Sequence, residues 1–599
     1  TDRIGGTDVW SPLFGSGRLN IMRALTKPVH SIVRIIEPAL DQGFSAGPVT
    51  IRGSAWSPAF SEYSLYWGAG HNPHTWNPII EAVNTPLIDS VLYVWNDIPH
   101  DGEYTLSLRV KNRDGEEERH QTRFFLDSTP PEISGTGLFP MIDGAYDSYL
   151  FEFYTDDLCE GTVHYRESGS DADWNTQNLT YRTVESRYHL TPNLTDQKTE
   201  FYVSARNSSD LQSFDDNNGV YYQVDLSRPP LPGMAFAPIG LDTDPGRLLS
   251  KYYDYNLNGL PELIVSSEAD GGIGPVVLYE LQHNAMVPVF ESEQRLIPRD
   301  IKDITGDGHP ELLTGFGFNS YLYSCPSVGA FPSRLLKAWE GDGSDQYWAS
   351  RLADLDKDGK GEVIMRVVSS SDNQDVFRVL EMQPDEEFES VAALPNPTPG
   401  ENFYGVPHCE ISDFDGDGYS DILFGDSDGD IYIYENTGDN QYQAVWQDSL
   451  PLIDSIDFIA HGDFDADGIS EFVAGCHSQP NLNTEHYYDA RHWLYRVYDC
   501  QGDDDYKVQA EWRFFGFESP SDFQSGVSTG DVDGDGDDEL YLAMFPDFYV
   551  IDYVDKSYTI IHHQQPAQTG SVLTGDLNID GTPEYWMSDG NRIRAFALT

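Results

Sequence analysis

A nine-residue pattern, Asp-x-Asp-x-Asp-Gly-x-x-Asp/Glu, constrains this chain more than any other feature. Its clearest copy is Asp413-x-Asp415-x-Asp417-Gly418-Tyr419-x-Asp421, followed at once by an apolar run, a turn at Ser427-Asp428-Gly429 and a second apolar run to Glu435. Carboxylates at positions 1, 3, 5 and 9 place several oxygens around one centre, and the glycine at position 6 permits the backbone reversal that gathers them. A backbone carbonyl at position 7 completes the set. An EF-hand opens the same way but needs an acid at position 12 and flanking helices; position 12 here is Phe424, and the flanks are short β-like runs. Calcium, which takes six to eight oxygens in flexible geometry, is the expected ion.

The pattern recurs seven times, mostly at intervals near 50 residues. With position 7 included, the candidate ligand sets are Asp254, Asn256, Asn258, Leu260 and Glu262; Asp303, Thr305, Asp307, His309 and Glu311; Asp354, Asp356, Asp358, Lys360 and Glu362; Asp413, Asp415, Asp417, Tyr419 and Asp421; Asp463, Asp465, Asp467, Ile469 and Glu471; Asp531, Asp533, Asp535, Asp537 and Glu539; and Asp576, Asn578, Asp580, Thr582 and Glu584. A metal-free hairpin turn does not require carboxylates at 1, 3, 5 and 9 in copy after copy. Up to seven calcium ions are expected, most strongly in the loops starting at 354, 413, 463 and 531. Asn256, Asn258, Thr305 and Asn578 coordinate without charge and weaken the others.

Each repeat reads strand, loop, strand, turn, strand, and usually one strand more. Four short strands at this period are the signature of a propeller blade. Residues 233–599 are therefore expected to form a seven-bladed ring. The last repeat lacks its fourth strand, while a surplus run, MAFAPIG (234–240), precedes the first loop. Pairing the two would latch the ring and leave no bare edge.

These repeats resemble the FG-GAP/VCBS repeats of integrin α-subunit propellers and of many secreted bacterial proteins. The resemblance implies a seven-bladed β-propeller with calcium in the loops between the first two strands of the blades. The Phe-Gly and Gly-Ala-Pro elements are poorly kept, so no integrin-like ligand site carries over.

Residues 27–127 and 128–232 each hold several alternating runs punctuated by Pro and Gly, which reads as two immunoglobulin-like or fibronectin type III-like sandwiches. The fold class is thus all-β: a seven-bladed β-propeller preceded by two such sandwiches. Within residues 1–26, SPLFGSGRLNIMRAL resembles the last turn and terminal helix of a subtilisin-like serine protease domain, although no catalytic motif of that family occurs in the chain. An ordinary amphipathic helix is the alternative.

The formal net charge is −63, which disfavours nucleic acid and anionic membranes as partners. Seven calcium ions would offset about 14 of those charges. No apolar run is long enough to span a membrane. Five cysteines are too few for a disulfide scaffold; Cys476 and Cys500 are either a pair or two thiols. Asn178, Asn193 and Asn207 head glycosylation sequons, with chance occurrence the favoured reading. His486, His562 and His563 read as surface histidines. The insertion His477–His492 lengthens the fifth repeat, and Tyr487, Tyr488 and Trp493 are the candidate ligand contacts, or pack the loop onto its blade.

No nucleophile elbow, HExxH or Walker loop appears, so the chain is expected to be non-catalytic. The leading expectation is a secreted or cell-surface, calcium-binding adhesion or recognition segment with an extracellular protein or glycan as partner. The alternatives are an accessory C-terminal region of a subtilisin-like protease precursor and a structural part of an extracellular surface assembly.

Overall fold

The computed structural model describes residues 31–599 apart from 145, 179–182, 191–197, 226–235, 270–271, 342–343, 370–373, 401–408, 452–455, 478–491, 516–525, 545, 566–571 and 589–590. The protease-like tail, Asn193, His486, Tyr487 and Tyr488 lie outside the described residues. All regular structure among the described residues is β. None of it is a helix long and apolar enough to cross a membrane. The chain divides into two compact units, the second comprising Leu138–Phe151, Tyr188–Gln197 and Asp225–Thr599.

In the first unit, strands Ile32–Glu37, Val49–Trp56 and Leu87–Trp95 form one sheet. A five-stranded sheet is built on Gly102–Asn112 and Phe60–Ala69. The two share one core: Ile35, Val49, Ile51 and Trp95 from the first, Leu65, Tyr104, Leu106, Leu108 and Phe124 from the second. Alternation along each strand sends these side chains to the inner face. A second group of strands is organised on the Glu152–Glu167 part of strand Tyr146–Glu167, which pairs antiparallel with Lys198–Arg206. Asn207, the third sequon, is only 2% exposed. Its amide donates to Asp127 Oδ2, the Thr129 carbonyl and Asp157 Oδ2 at 2.6, 3.2 and 3.2 Å, so it carries no glycan in this fold.

In the second unit, the described residues form six four-stranded antiparallel sheets, and between the fourth and the sixth in chain order the antiparallel strands Ile456–Gly462, Glu471–His477, His492–Cys500 and Tyr506–Phe515 make a further four-strand set, here the fifth sheet, whose last strand also pairs with Ile133–Asp143. The fourth shows why. Its strands Asp421–Gly425 and Asp430–Gly438 are nearly continuous apolar runs because both faces are covered. Ile422, Phe424, Tyr432 and Tyr434 face the third sheet, meeting Ile364, Phe377 and Val379. Leu423, Ile431 and Ile433 face the fifth, meeting Phe472, Leu494 and Tyr498. Only the last strand, Gln441–Ser449, shows the alternation of a solvated edge.

Every neighbouring pair of sheets shares such a core, and the series returns to its start. Leu263, Val265 and Tyr279 of the first sheet pack with Leu573, Trp586 and Ile593 of the seventh. The first strands follow the same order: Gly246–Tyr253 lies beside Ile297–Lys302 on one side and Leu573–Gly575 on the other.

The surplus run does pair with the last repeat. Phe236–Thr243 is the outermost strand of the seventh sheet, with Phe236 opposite Leu598 and Thr243 opposite Ile593. Phe236 is 1% exposed, and its ring stands edge-on to Tyr585 at 5.2 Å. Phe236→Ala is expected to destabilise the second unit by about 3–5 kcal/mol, the usual cost of emptying a buried aromatic site. Urea denaturation followed by Trp fluorescence measures it; a loss under about 1 kcal/mol would show the strand to be dispensable.

Candidate metal centre

The seven loops lie between the first and second strands of their sheets and share one backbone geometry. Glycine at position 6 has φ between +86° and +106° in all seven, a conformation costly for any residue with a Cβ. The position-5 side chain accepts the position-7 amide in each loop, at 2.7–3.3 Å. In six loops the position-9 carboxylate accepts the amide of position 2, at 2.7–2.9 Å. In the seventh, Glu584 accepts the Asn578 amide at 3.2 Å.

Position 9 opens the second strand of each sheet and is buried every time. Glu262, Glu311, Glu362, Asp421, Glu471, Glu539 and Glu584 are all at most 2% exposed. Desolvation, with a smaller push from the other loop carboxylates, raises their pKa values to about 7 for Glu311 and Glu584 and about 8 for Glu262, Glu362, Asp421 and Glu471. Glu539 is pushed up to about 9. Glu362 Oε1, Glu539 Oε1, Glu584 Oε2 and Asp413 Oδ1 are buried without a hydrogen-bond partner. Orphaned carboxylate oxygens beside further carboxylates fit a divalent cation, which neutralises the charge and accepts the lone pairs. One oxygen from each of Asp354, Asp356, Asp358 and Glu362 lies within 4.8 Å of all the others, as do oxygens of Asp413, Asp415 and Asp421. That spread suits ligands on one ion at about 2.4 Å.

The loops differ in what already satisfies them. In the first, Asn256 donates to Glu262 and Glu280, and Asn258 donates to Glu280, each at 2.7–2.8 Å. In the second, the Thr305 hydroxyl reaches Glu311 at 3.2 Å. The third has the full carboxylate set, yet Lys360 at position 7 lays its ammonium on Asp358 at 2.6 Å and Glu381 at 2.9 Å. An ion there would compete with an internal cation. Among the described residues, position 9 in the loops starting at 413, 463 and 531 hydrogen-bonds only a backbone amide, as Glu362 does, and no lysine lies on their carboxylates.

Sequence reasoning missed a further set of acids. Antiparallel register puts Glu280, Glu381 and Glu435 of the third strands directly opposite Glu262, Glu362 and Asp421. Asp499 and Asp552 stand near Glu471 and Glu539, close enough to raise their pKa values. The turn after the third strand of the following sheet also reaches the loops. The Asn440 amide donates to Asp356 at 2.9 Å, its side chain donates to Glu381 at 2.7 Å, and Asp439 joins Asp356, Asp358 and Glu381 in one cluster. Asp503 stands in the same relation to Asp415 and Asp417.

Two open readings are narrowed and one is corrected. Trp493, read as a ligand contact or as packing the loop onto its blade, is 4% exposed and packs against Phe458 at 5.6 Å inside the core between the fifth and sixth sheets. Cys476 and Cys500 are not paired: Cys476 faces Leu494, whereas Cys500 lies past Tyr498, whose partner is Phe472. His562 and His563 are not surface groups. His562 is fully buried, with its pKa lowered by burial, and His563 Nε2 lies 2.6 Å from Asp547 Oδ1.

A family profile described as FG-GAP-like repeat matches residues 413–474, the fourth loop through the second strand of the fifth sheet. No curated protein matches the chain. Among solved structures, the β-propeller domain of Cps50 (Swd1) from Myceliophteria thermophila is 8% identical, with 61% of this chain and 100% of that chain covered and a TM-score of 0.37. Sqt1 from Chaetomium thermophilum is 11% identical over 60% and 98%, with a TM-score of 0.36. A putative 6-phosphogluconolactonase from Bacteroides fragilis is 10% identical over 69% and 96%, with a TM-score of 0.35. At TM-scores this low, none of these likenesses bears on what the chain does.

Proposed function

We propose that residues 236–599 form a seven-bladed, calcium-stiffened β-propeller that serves as a non-catalytic recognition or adhesion segment outside the cell. The observation that carries this reading is the repeated buried carboxylate at position 9. A desolvated acid is a standing cost, and seven of them at equivalent places, three (Glu362, Glu539 and Glu584) with an orphaned oxygen, are hard to explain without a cation. Calcium would be held by positions 1, 3, 5 and 9 and the position-7 carbonyl, with Glu435, Asp499 and Asp552 adding negative charge nearby. When bound, it supplies charge neutralisation and fixes the loop backbone. The loops' own residues do the rest: the position-6 glycine reverses the chain, and the position-9 acid ties the loop to the second strand. Loops of modest affinity fill where calcium is abundant, which supports an extracellular setting.

The cyclic run of shared cores supports the ring, and a rigid ring presents its connecting turns as a fixed surface. A protein or glycan is the expected partner, and the strong negative charge disfavours nucleic acid. Binding to a glycan array and to immobilised extracellular-matrix proteins, with calcium and with EGTA, tests the reading. Calcium-dependent binding to one class is expected. Absence of any retained partner on either surface, together with turnover of a polyuronide, would replace recognition with lyase activity.

A further inference from the structure

We propose that the first strands of the first three sheets of the second unit hold a binding site for a small oxyanion, a carboxylate or sulfate group, centred on Arg299. Positive charge is scarce here: 36 Lys and Arg stand against 99 Asp and Glu. Guanidiniums elsewhere find acids readily, as Arg166 does Glu200, Arg366 Asp375 and Arg496 Glu511. Arg299 has no hydrogen bond or ion pair among the described residues.

Its backbone position is unusual. Pro298 pairs with Thr314 and Asp300 with Leu313, so Arg299 is the extra residue of a β-bulge. A bulge re-aims one side chain out of the sheet's alternation, a device common beside binding sites. Arg299 Nε lies near Gly315 of the next strand. Protein around the guanidinium holds its pKa down at about 10; desolvation contributes most, then repulsion from Arg351 and Arg247, with no carboxylate in opposition. Arg247 and Arg351 sit on the first strands either side, so three guanidiniums come from three consecutive sheets.

The nearby acids are already committed. Asp300 accepts Lys251 Nζ at 2.5 Å, the Ile301 amide at 2.9 Å and the Leu352 amide at 2.8 Å. Glu410 takes Arg351 and, at 3.3 Å, His461 Nδ1. Its pKa falls to about 2: burial pulls the other way, but Arg351 and His461 outweigh it. Arg299 is left with a planar fork of donors and no acceptor. That fork matches two oxygens of one anion, and an anion there would relieve an uncompensated partly buried charge.

Sodium sulfate and sodium acetate, titrated separately into the calcium-loaded full chain at constant ionic strength, test the site by melting temperature and calorimetry. A saturable rise with at least one salt is expected; sulfate alone marks a tetrahedral ligand group, and acetate alone marks a carboxylate. Arg299→Gln is expected to weaken binding about tenfold or more, the scale of one charge-assisted hydrogen bond. Arg299→Lys, which keeps the charge without the fork, should fall between. Without added anion, R299Q should melt at or above the wild type, because it removes a charge with no partner. Sulfate also stabilises proteins non-specifically, a response R299Q would share, so the difference between the two proteins is the readout. No saturable response in the wild type, an equal response in R299Q, or a lower anion-free melt for R299Q would each overturn the proposal.

Discussion

Removal of calcium with EGTA is expected to lower the melting temperature of the second unit by about 10 °C, leaving the transition of the first unit in place. The figure assumes that the loops starting at 413, 463 and 531 are filled at a hundredfold excess over Kd, each contributing about 2.7 kcal/mol, in a unit of this size. Those three are chosen because, among the described residues, Asp421, Glu471 and Glu539 hydrogen-bond only a backbone amide and no lysine competes within the loop. The loop starting at 354 is expected to add less than its four acids suggest, since Lys360 already lies on Asp358 and Glu381. Differential scanning calorimetry in calcium and in EGTA checks this. Superimposable traces would remove calcium from the account of the fold.

Glu539→Gln is expected to change sign with calcium. Glu539 is fully buried and has its pKa raised to about 9 by desolvation, against 4.5 for an ordinary glutamate. A raised acid pKa means that the folded state holds its proton while the unfolded chain has lost it. The calcium-free wild type therefore loses stability as pH rises from about 4.5 towards 9. Glutamine does not titrate, and its side-chain oxygen still accepts the Val532 amide that Glu539 accepts at 2.7 Å. In EGTA at pH 7, E539Q should be more stable than wild type by about 3 kcal/mol, and the gap should close towards pH 4.5. In calcium the order should reverse, because the loop has lost a charged ligand. Stability curves at pH 5 and 7, with and without calcium, decide it. A variant less stable than wild type in all four conditions would make Glu539 a structural acid rather than a ligand.

The repeat unit was legible because its chemistry is local. The six constrained positions of the loop fall within nine residues, so Asp413 and Asp421 can be related without knowing the fold. The closing strand was legible from strand counting: the last repeat was one strand short, and Phe236–Thr243 fills that place. What depends on register was not legible. Glu280, Glu381 and Glu435 face position 9 across a hairpin whose length varies, so no fixed spacing announces them. In the sequence, Trp493 stays between two readings for a related reason. Its strand, His492–Cys500, is covered on both faces, with Trp493, Tyr495 and Val497 on one side and Leu494 and Tyr498 on the other. Without alternation, an aromatic next to an insertion looks the same whether it points into the core or out of it. Asn207 shows the same limit: its sequon is visible in sequence, and the three oxygens that claim its amide are not.

The strand Phe236–Thr243 has a mechanical consequence. It is the first described strand of the Asp225–Thr599 segment, and it is also the outermost strand of the sheet that holds the last repeat. A tug applied at its N-terminal end falls on its ladder with Ile593–Leu598. Pulled along its own axis, the strand shares the load over the whole ladder at once. Pulled sideways, it peels one pair at a time, beginning with Phe236 and Leu598. The direction of force at this one strand thus sets whether the unit behaves as a rigid tether or as a zip.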